Sequence, residues 1–217
     1  MKPVKRVAAG RIARSVLIAG FALMAAFILM TGSILMAGST ANINDNTFGN
    51  PKAPVTIEVF SDFQCPACKY FHDNDFQKIM TDYVVPGKVY VIYRYFPLQM
   101  HPYGRACAEF ACAAARVGRY QKVADALFAQ QSTIAAVGNM EAVANSVLTP
   151  SEQKTVKSLL KSPEVQKAIE TDIAEGKAVP VPSTPTLWVT AHGKSEILPG
   201  PVNYELFKQY VEALLKK

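Results

Sequence analysis

The first half of the domain shows two patterns of apolar residues. Residues 55–60 and 89–96 are rich in β-branched and aromatic side chains, and the second run alternates in polarity, so both are predicted strands. Between them, an approximate apolar stripe from residue 65 to about residue 82 predicts a helix. A strand, a helix and a parallel strand form a βαβ unit.

Helical patterns then dominate from about residue 102 to residue 177. Thr149 and Glu152 form a predicted capping box with proline at the first helical position, and Ser162 begins another helix in the same way. Gly176 is a predicted helix stop. The repeated prolines of VPVPSTP exclude a helix interior after it.

The chain ends with two short predicted strands and a helix. The strands cover residues 186–190 and 196–198, and an amphipathic pattern capped by Asn203 predicts the last helix. The order is therefore βαβ, a helical insertion, and ββα. We expect residues 53–217 to form one α/β domain, with a central sheet of four to five strands and an insertion at about 102–177.

The N-terminal region differs from the rest of the chain. Residues 15–37 are apolar and carry no charge, and five cations precede them, at Lys2, Lys5, Arg6, Arg11 and Arg14. The length favours an uncleaved membrane helix, whereas the small residues at 39–41 fit a cleaved signal peptide. We therefore assign residues 1–41 to an anchor or a signal, and residues 42–52 to a linker. Either choice predicts that the domain lies outside the cytoplasm.

The charge distribution along the chain argues against nucleic acid as a partner. The formal net charge is +6, but without the five N-terminal cations 18 cations face 17 anions. The domain therefore offers no basic face for nucleic acid, and none is expected as a partner.

The stretch SDFQCPACKYFHD contains the candidate chemistry, Cys65 and Cys68. Cys65 falls where the strand gives way to the helix, and the N–H groups of a helix N-terminus stabilise a thiolate. Pro66 suits the first helical turn. Cys65 is thus the expected nucleophile and Cys68 the resolving cysteine.

The pair has three other interpretations. A zinc site requires four ligands, and only one Cys-x-x-Cys pair is present, so no metal is expected. A structural disulfide across so short a loop constrains the unfolded chain little. A redox-inert module that holds Cu(I) between the two thiolates stays an alternative.

The sequence resembles the thioredoxin fold of the DsbA-like thiol–disulfide oxidoreductases. The resemblance rests on FGNPKAPVTIEVFSDFQCPACKYFH, YRYFPLQMHP and VPSTPTLWV, and it covers about residues 47–217. It implies a redox-active disulfide between Cys65 and Cys68. It also implies a cis peptide bond before Pro185, with the Thr184 backbone pairing with a substrate chain. Ala67 replaces the histidine of the strongest oxidants in the family, which implies a milder oxidant tuned by Pro66 and Ala67.

Several polar residues and the other two cysteines are further candidates. Glu58 is either a buried carboxylate that shuttles the Cys68 proton, as a comparable acid of the family implies, or a solvent-facing strand residue. Asp62 and His101 are predicted turn residues, and His72 is predicted to lie on the surface. Cys107 and Cys112 are five positions apart on a helix, with an axial rise of about 7.5 Å, and are expected to be buried thiols.

The expected function is an extracytoplasmic thiol–disulfide oxidoreductase, in the periplasm or cell envelope, that needs no cofactor and acts as a monomer. It would form disulfides in reduced or misoxidised exported proteins and be re-oxidised by a quinone-linked membrane partner. A disulfide reductase or isomerase of the same fold is the alternative.

Overall fold

A five-stranded sheet forms the centre of the computed structural model, which describes residues 46–216. The strand order is β1-β3-β2-β4-β5. The strands are β1 (Thr47–Phe48), β2 (Val55–Ser61), β3 (Val89–Tyr95), β4 (Thr186–Ala191) and β5 (Lys194–Pro199). Strands β2 and β3 run parallel, which confirms the predicted βαβ unit, and β4 and β5 add antiparallel strands on the other side of β2.

The outer strand β1 lies within the segment predicted as a linker. Thr47 pairs with Ile92 and Phe48 pairs with Val91, in the antiparallel direction. A strand of two residues is too short to leave a periodic pattern in the sequence. Its position is determined by pairing with β3, so the sheet begins earlier in the chain than the sequence predicts.

One helical run, α1, connects β2 to β3. It consists of α-helical Pro66–Tyr70 and Phe76–Ile79, each followed by a π-helical segment, Phe71–Asp75 and Met80–Val84. The apolar stripe predicted from the sequence is buried, and it includes Phe71, Phe76, Ile79 and Tyr83. The predicted helix is therefore confirmed, with two local changes in its winding.

The insertion between β3 and β4 is helical, as predicted. It contains α2 (Gly104–Ala115), α3 (Tyr120–Ala129), α4 (Gln131–Val137), α5 (Met140–Asn145), α6 (Pro150–Leu159) and α7 (Pro163–Ala178). The capping box of Thr149 and Glu152 is present at the start of α6. Ser162 caps α7 by accepting a hydrogen bond from the Val165 N–H group.

Gly176 does not end α7, contrary to the prediction. The helix continues to Ala178, and a Cβ atom at position 176 would lie 2.5 Å from the Phe96 ring. The glycine therefore permits a close approach between α7 and the segment after β3, a tertiary requirement that resembles a helix stop in sequence.

The last helix, α8 (Tyr204–Leu215), begins where the sequence predicts. The Asn203 side chain accepts hydrogen bonds from the N–H groups of Glu205 and Leu206, at 3.0 and 3.2 Å. Within this helix, the side chains of Phe207 and Val211 are fully buried.

The predicted anchor or signal, residues 1–41, lies outside the described residues. Within residues 46–216, each helix is too short or too polar to cross a membrane.

Candidate functional site

The loop between β2 and α1 presents the two cysteines at the start of the helix. Cys65 directly precedes Pro66, the first helical residue, and has an extended backbone with φ −77° and ψ 121°. Its N–H group donates to the Asp62 carbonyl oxygen at 3.1 Å. Pro66 is exposed, Ala67 is half-buried and Cys68 is fully buried. The four described cysteines are free thiols, so this is the reduced form of the site.

The Cys65 sulfur lies in a polar, nearly buried environment. About 7% of the residue is exposed, and the sulfur is 3.2 Å from the Thr184 carbonyl oxygen. A hydrogen bond from Cys68 lowers the pKa of Cys65 to about 5, helped by the Thr184 side chain and the N–H groups of Cys68 and Ala67, although burial opposes the shift. Near neutral pH the sulfur is therefore a thiolate, which is the reactive form.

Cys68 has the opposite environment. Burial, followed by the hydrogen bond and the charge of Cys65, holds its pKa well above the ordinary value. Its sulfur accepts the Asp62 N–H group at 3.4 Å. A thiolate with a small accessible area and a fully buried neutral thiol are what an attacking and a resolving cysteine require.

Thr184 and Pro185 lie opposite the cysteines, at the start of β4. The peptide bond between them is cis, as the resemblance implies. Both residues are buried, and the Thr184 carbonyl oxygen faces Cys65. The structure thus brings together Cys65, Cys68, Thr184 and Pro185 from two distant parts of the chain.

Asp62, predicted as a turn residue, has a larger role. Its side chain is completely buried and accepts the Gln64 N–H group at 2.8 Å, the Leu98 N–H group at 2.7 Å and His101 Nδ1 at 2.6 Å. The carboxylate therefore joins the cysteine loop to the segment after β3. The acceptance from Gln64 is the turn contact that the sequence could predict.

Gln131 is a site residue that the sequence analysis missed. Its buried side chain donates to the carbonyl oxygens of Phe63 and Cys65, at 2.8 and 3.0 Å. The residue belongs to α4, so the helical insertion holds the backbone of the nucleophile in place. A lone glutamine at a helix start carries no sequence signal for this contact.

Glu58 is bound to a guanidinium group. Arg94 donates to the Glu58 carboxylate at 2.6 and 2.7 Å and also contacts Asp172 and Glu175. Side chains alternate between the faces of a strand, so Glu58 and Ser61, which interacts with Cys68, point to opposite faces of β2. The proton shuttle at Glu58 stays a prediction, and these contacts do not support it.

His72 is buried, contrary to the prediction of a surface histidine. Its Nε2 atom lies 2.8 Å from Asp125 Oδ1, and its ring packs 4.5 Å from the Phe128 ring. The helical insertion supplies both contacts, so this burial results from tertiary packing that the local sequence does not encode.

Cys107 and Cys112 are buried in α2, as expected. Burial raises the pKa of these thiols to about 12 and about 11. Such thiols are unreactive near neutral pH. Among residues 46–216 no cluster of three or more His, Cys, Asp or Glu side chains is placed to hold a metal ion.

Comparisons with known proteins identify the family. A family model described as thioredoxin matches residues 41–213. Disulfide bond formation protein D of Bacillus subtilis is 25% identical over 177 residues, which cover 77% of this chain and 76% of that protein. The Na(+)/H(+) antiporter NhaA 3 of Salinispora tropica is 34% identical over 91 residues, but the match spans only 13% of that protein and 42% of this chain.

Solved structures share the fold. BdbD from Bacillus subtilis, in its oxidised form, has a TM-score of 0.65 at 24% identity, covering 81% of this chain and 96% of BdbD. Alpha-DsbA1 from Wolbachia pipientis has a TM-score of 0.65 at 21% identity, covering 79% of this chain and 90% of its own. With two cysteines at a helix N-terminus and a cis proline opposite them, the chain belongs to the thioredoxin family and shares the fold of the DsbA-like proteins.

Proposed function

We propose that this protein oxidises pairs of thiols in exported proteins outside the cytoplasm. In the first step a substrate thiolate attacks Cys65 Sγ of the oxidised form. A substrate–Cys65 disulfide forms, the Cys65–Cys68 bond breaks, and Cys68 leaves with the electron pair and takes up a proton. The second substrate thiolate then attacks the substrate sulfur of the mixed disulfide. A disulfide forms within the substrate, and Cys65 is released as a thiolate.

The pKa of Cys65, lowered to about 5, is the observation that supports this direction. A stabilised thiolate favours the reduced form of the protein, so the disulfide form readily accepts electrons. Cys65 is also a good leaving group, because a thiol of low pKa leaves faster.

The Thr184 carbonyl oxygen supports broad substrate use. It lies 3.2 Å from the Cys65 sulfur at the start of β4, where an extended substrate chain could pair with the backbone near the reacting atoms. Recognition of backbone in this way selects an unfolded or extended segment rather than a particular sequence.

The proposed location rests on the N-terminal sequence. The five cations and the apolar run at residues 15–37 are typical of an exported or anchored protein, and disulfides persist outside the cytoplasm. The name of the Bacillus subtilis relative, a disulfide bond formation protein, favours the same activity. A membrane redox partner would then re-oxidise Cys65 and Cys68.

The test measures whether the protein oxidises or reduces its substrates. Oxidised protein from residue 42 onward is equilibrated with glutathione and incubated with a reduced, unfolded ribonuclease. We expect a reduction potential well above that of thioredoxin, toward about −120 mV, and catalysed recovery of ribonuclease activity. A potential near about −270 mV would instead indicate a reductase.

Three cysteine variants complete this test. We expect Cys65→Ser to abolish exchange, because it removes the nucleophile. In Cys68→Ser, the Cys65 thiolate should attack a disulfide of unfolded, oxidised ribonuclease, release one ribonuclease thiolate, and accumulate a ribonuclease–Cys65 mixed disulfide that mass spectrometry detects. Cys107→Ala is the matched control, since this buried thiol has a pKa raised to about 12 and should not take part. Full activity of Cys65→Ser would contradict the proposal.

A further inference from the structure

Exchange at a buried thiol requires a proton to cross the protein interior. Cys68 is fully buried, and in the proposed function it gains a proton as a leaving group and loses one during re-oxidation. Glu58, the carboxylate considered from the sequence, is bound to Arg94 and lies on the other face of β2 from Ser61. The route for the Cys68 proton therefore has to be sought on the face that carries Ser61.

Three polar atoms line that face. They are Ser61 Oγ of β2, Tyr93 OH of β3 and His72 Nδ1 of α1, all buried and without a well-formed hydrogen bond among the described residues. The Ser61 hydroxyl is near enough to Cys68 and to Tyr93 to lower the pKa of each, although burial dominates both values. The Tyr93 ring lies edge-on to the His72 ring, 6.3 Å away. The three groups are therefore neighbours on the side of the sheet that faces Cys68, although no hydrogen bond joins them in this conformation.

His72 continues this row of groups to the surface. Its side chain is only 5% exposed, and Nε2 lies 2.8 Å from the carboxylate of Asp125, which is 51% exposed. A carboxylate accepts hydrogen bonds, so Nε2 carries the proton and leaves Nδ1 as a free acceptor inside the protein in the neutral ring. A base held by a third group in this way is the arrangement that activates thiols in other enzymes.

The orientation of the imidazole is fixed by packing. The ring stacks on Phe76 at 5.8 Å and lies 4.5 Å from Phe128. His72 also follows Cys68 by four positions on α1, which brings the two side chains to the same side of the helix.

We propose that His72 exchanges the proton of Cys68 with solvent, that the hydroxyls of Ser61 and Tyr93 carry it, and that Asp125 positions the imidazole. When the Cys65–Cys68 bond breaks, Cys68 leaves with the electron pair and takes the hydroxyl proton of Ser61, which Tyr93 replaces. A His72 ring protonated on both nitrogens replaces the Tyr93 proton from Nδ1, becomes neutral, and is protonated again from solvent beside Asp125. During re-oxidation by a disulfide-bearing partner, the proton leaves by the same route as Cys68 attacks Cys65. This inference rests on the proposed function.

The experiment measures rates and equilibrium together. Oxidised protein is mixed with reduced glutathione, and the forward and reverse exchange rates and the equilibrium constant are recorded for Asp125→Asn and His72→Asn. A proton relay changes the barrier in both directions equally. We therefore expect both rates to fall, by about tenfold for Asp125→Asn and about a hundredfold for His72→Asn, with an equilibrium constant unchanged within about twofold.

Asp73→Asn is the matched control. Asp73 is 40% exposed and pairs with Lys69 on the outer side of α1. The Asp73→Asn variant therefore loses the same charge as Asp125→Asn without contacting the proposed proton route. Its exchange rates should equal those of the wild type. Asp125 is half exposed, which keeps Asp125→Asn folded if His72→Asn is not. Unchanged rates in Asp125→Asn, or rates that change together with the equilibrium constant, would overturn the relay. A wild type that does not exchange at all would instead refute the proposed function.

Discussion

Two chemically identical side chains in one helical turn acquire different reactivity from their surroundings. Cys65 receives hydrogen bonds that favour its thiolate, whereas burial and the neighbouring Cys65 favour the neutral thiol of Cys68. Thr184 contributes to this difference from the far end of the chain, since its side chain lowers the pKa of Cys65. The reactivity of the pair is therefore determined by individual contacts as well as by the Cys-x-x-Cys spacing.

The contribution of the Thr184 hydroxyl can be measured. Thr184→Val keeps the shape of the side chain and removes the donor, so we expect the pKa of Cys65 to rise by about 1 unit. Thiolate absorbance of the reduced protein as a function of pH reports this value. Thr190→Val is the control, because Thr190 bonds to Ser195 at the far end of β4. Equal titration curves for the wild type and Thr184→Val would show that the hydroxyl has no influence on the thiolate.

At the level of elements, the main feature is that Asp62 links the cysteine loop to α2 and to the segment after β3. Asp62, at the end of β2, binds the backbone of the segment after β3, and α2 packs against the same carboxylate through Gly104. A Cβ atom at position 104 would lie 2.8 Å from Asp62 Oδ1. The glycine is therefore required by a close approach.

Gly104→Ala tests this contact, because its effect on folding stability should have the opposite sign to that of an ordinary glycine-to-alanine change in a helix. Alanine in place of glycine ordinarily stabilises a helix by about 0.5–1 kcal/mol, but here we expect a loss of about 1–3 kcal/mol because Asp62 has to move. Urea unfolding of the oxidised protein measures the change. A double-mutant cycle with Asp62→Ala supplies the control, since the penalty should shrink once the carboxylate is absent. A more stable Gly104→Ala protein would contradict the close contact.

The sequence predicted elements best where the pattern is local. The strands β2 and β3, the redox helix and the caps at Thr149, Ser162 and Asn203 are encoded by neighbouring residues and are confirmed. Contacts between distant elements were not predicted. Strand β1 forms only by pairing with β3, and the need for glycine at position 176 comes from the nearby Phe96 ring.

The same distinction holds for the site. The cysteines and the cis proline were predicted from short motifs, although the proline required the family resemblance. The roles of Asp62, His72 and Gln131 were not predicted, because their partners are 36 to 68 positions away. A single sequence does not specify which distant side chain meets them.

At the scale of the whole molecule, the Cys65 thiolate links redox state to folding stability. In the reduced protein the pKa of Cys65 is about 5, against 9.0 for an ordinary thiol. Between these values the folded state has released the Cys65 proton and the unfolded state has not, so the stability of the reduced protein rises with pH from about 5 to about 9. The gain is about 3 kcal/mol at pH 7 and about 5 kcal/mol by pH 9. In the disulfide form Cys65 has no thiol to titrate, so this form lacks the contribution.

We therefore expect the stability of the reduced protein, relative to the oxidised protein, to increase as the pH is raised from 5 to 8. Urea unfolding of both forms at several pH values measures it, with the oxidised protein as an internal reference for all other titrating groups. Reduced Cys65→Ser protein is the control, since serine keeps the fold but does not ionise, and its curve should run parallel to that of the oxidised protein. If the reduced wild type also follows the oxidised curve, the thiolate does not stabilise the fold. The oxidising direction proposed here would then lose its physical basis, because the same stabilisation of the reduced form is what makes the disulfide accept electrons.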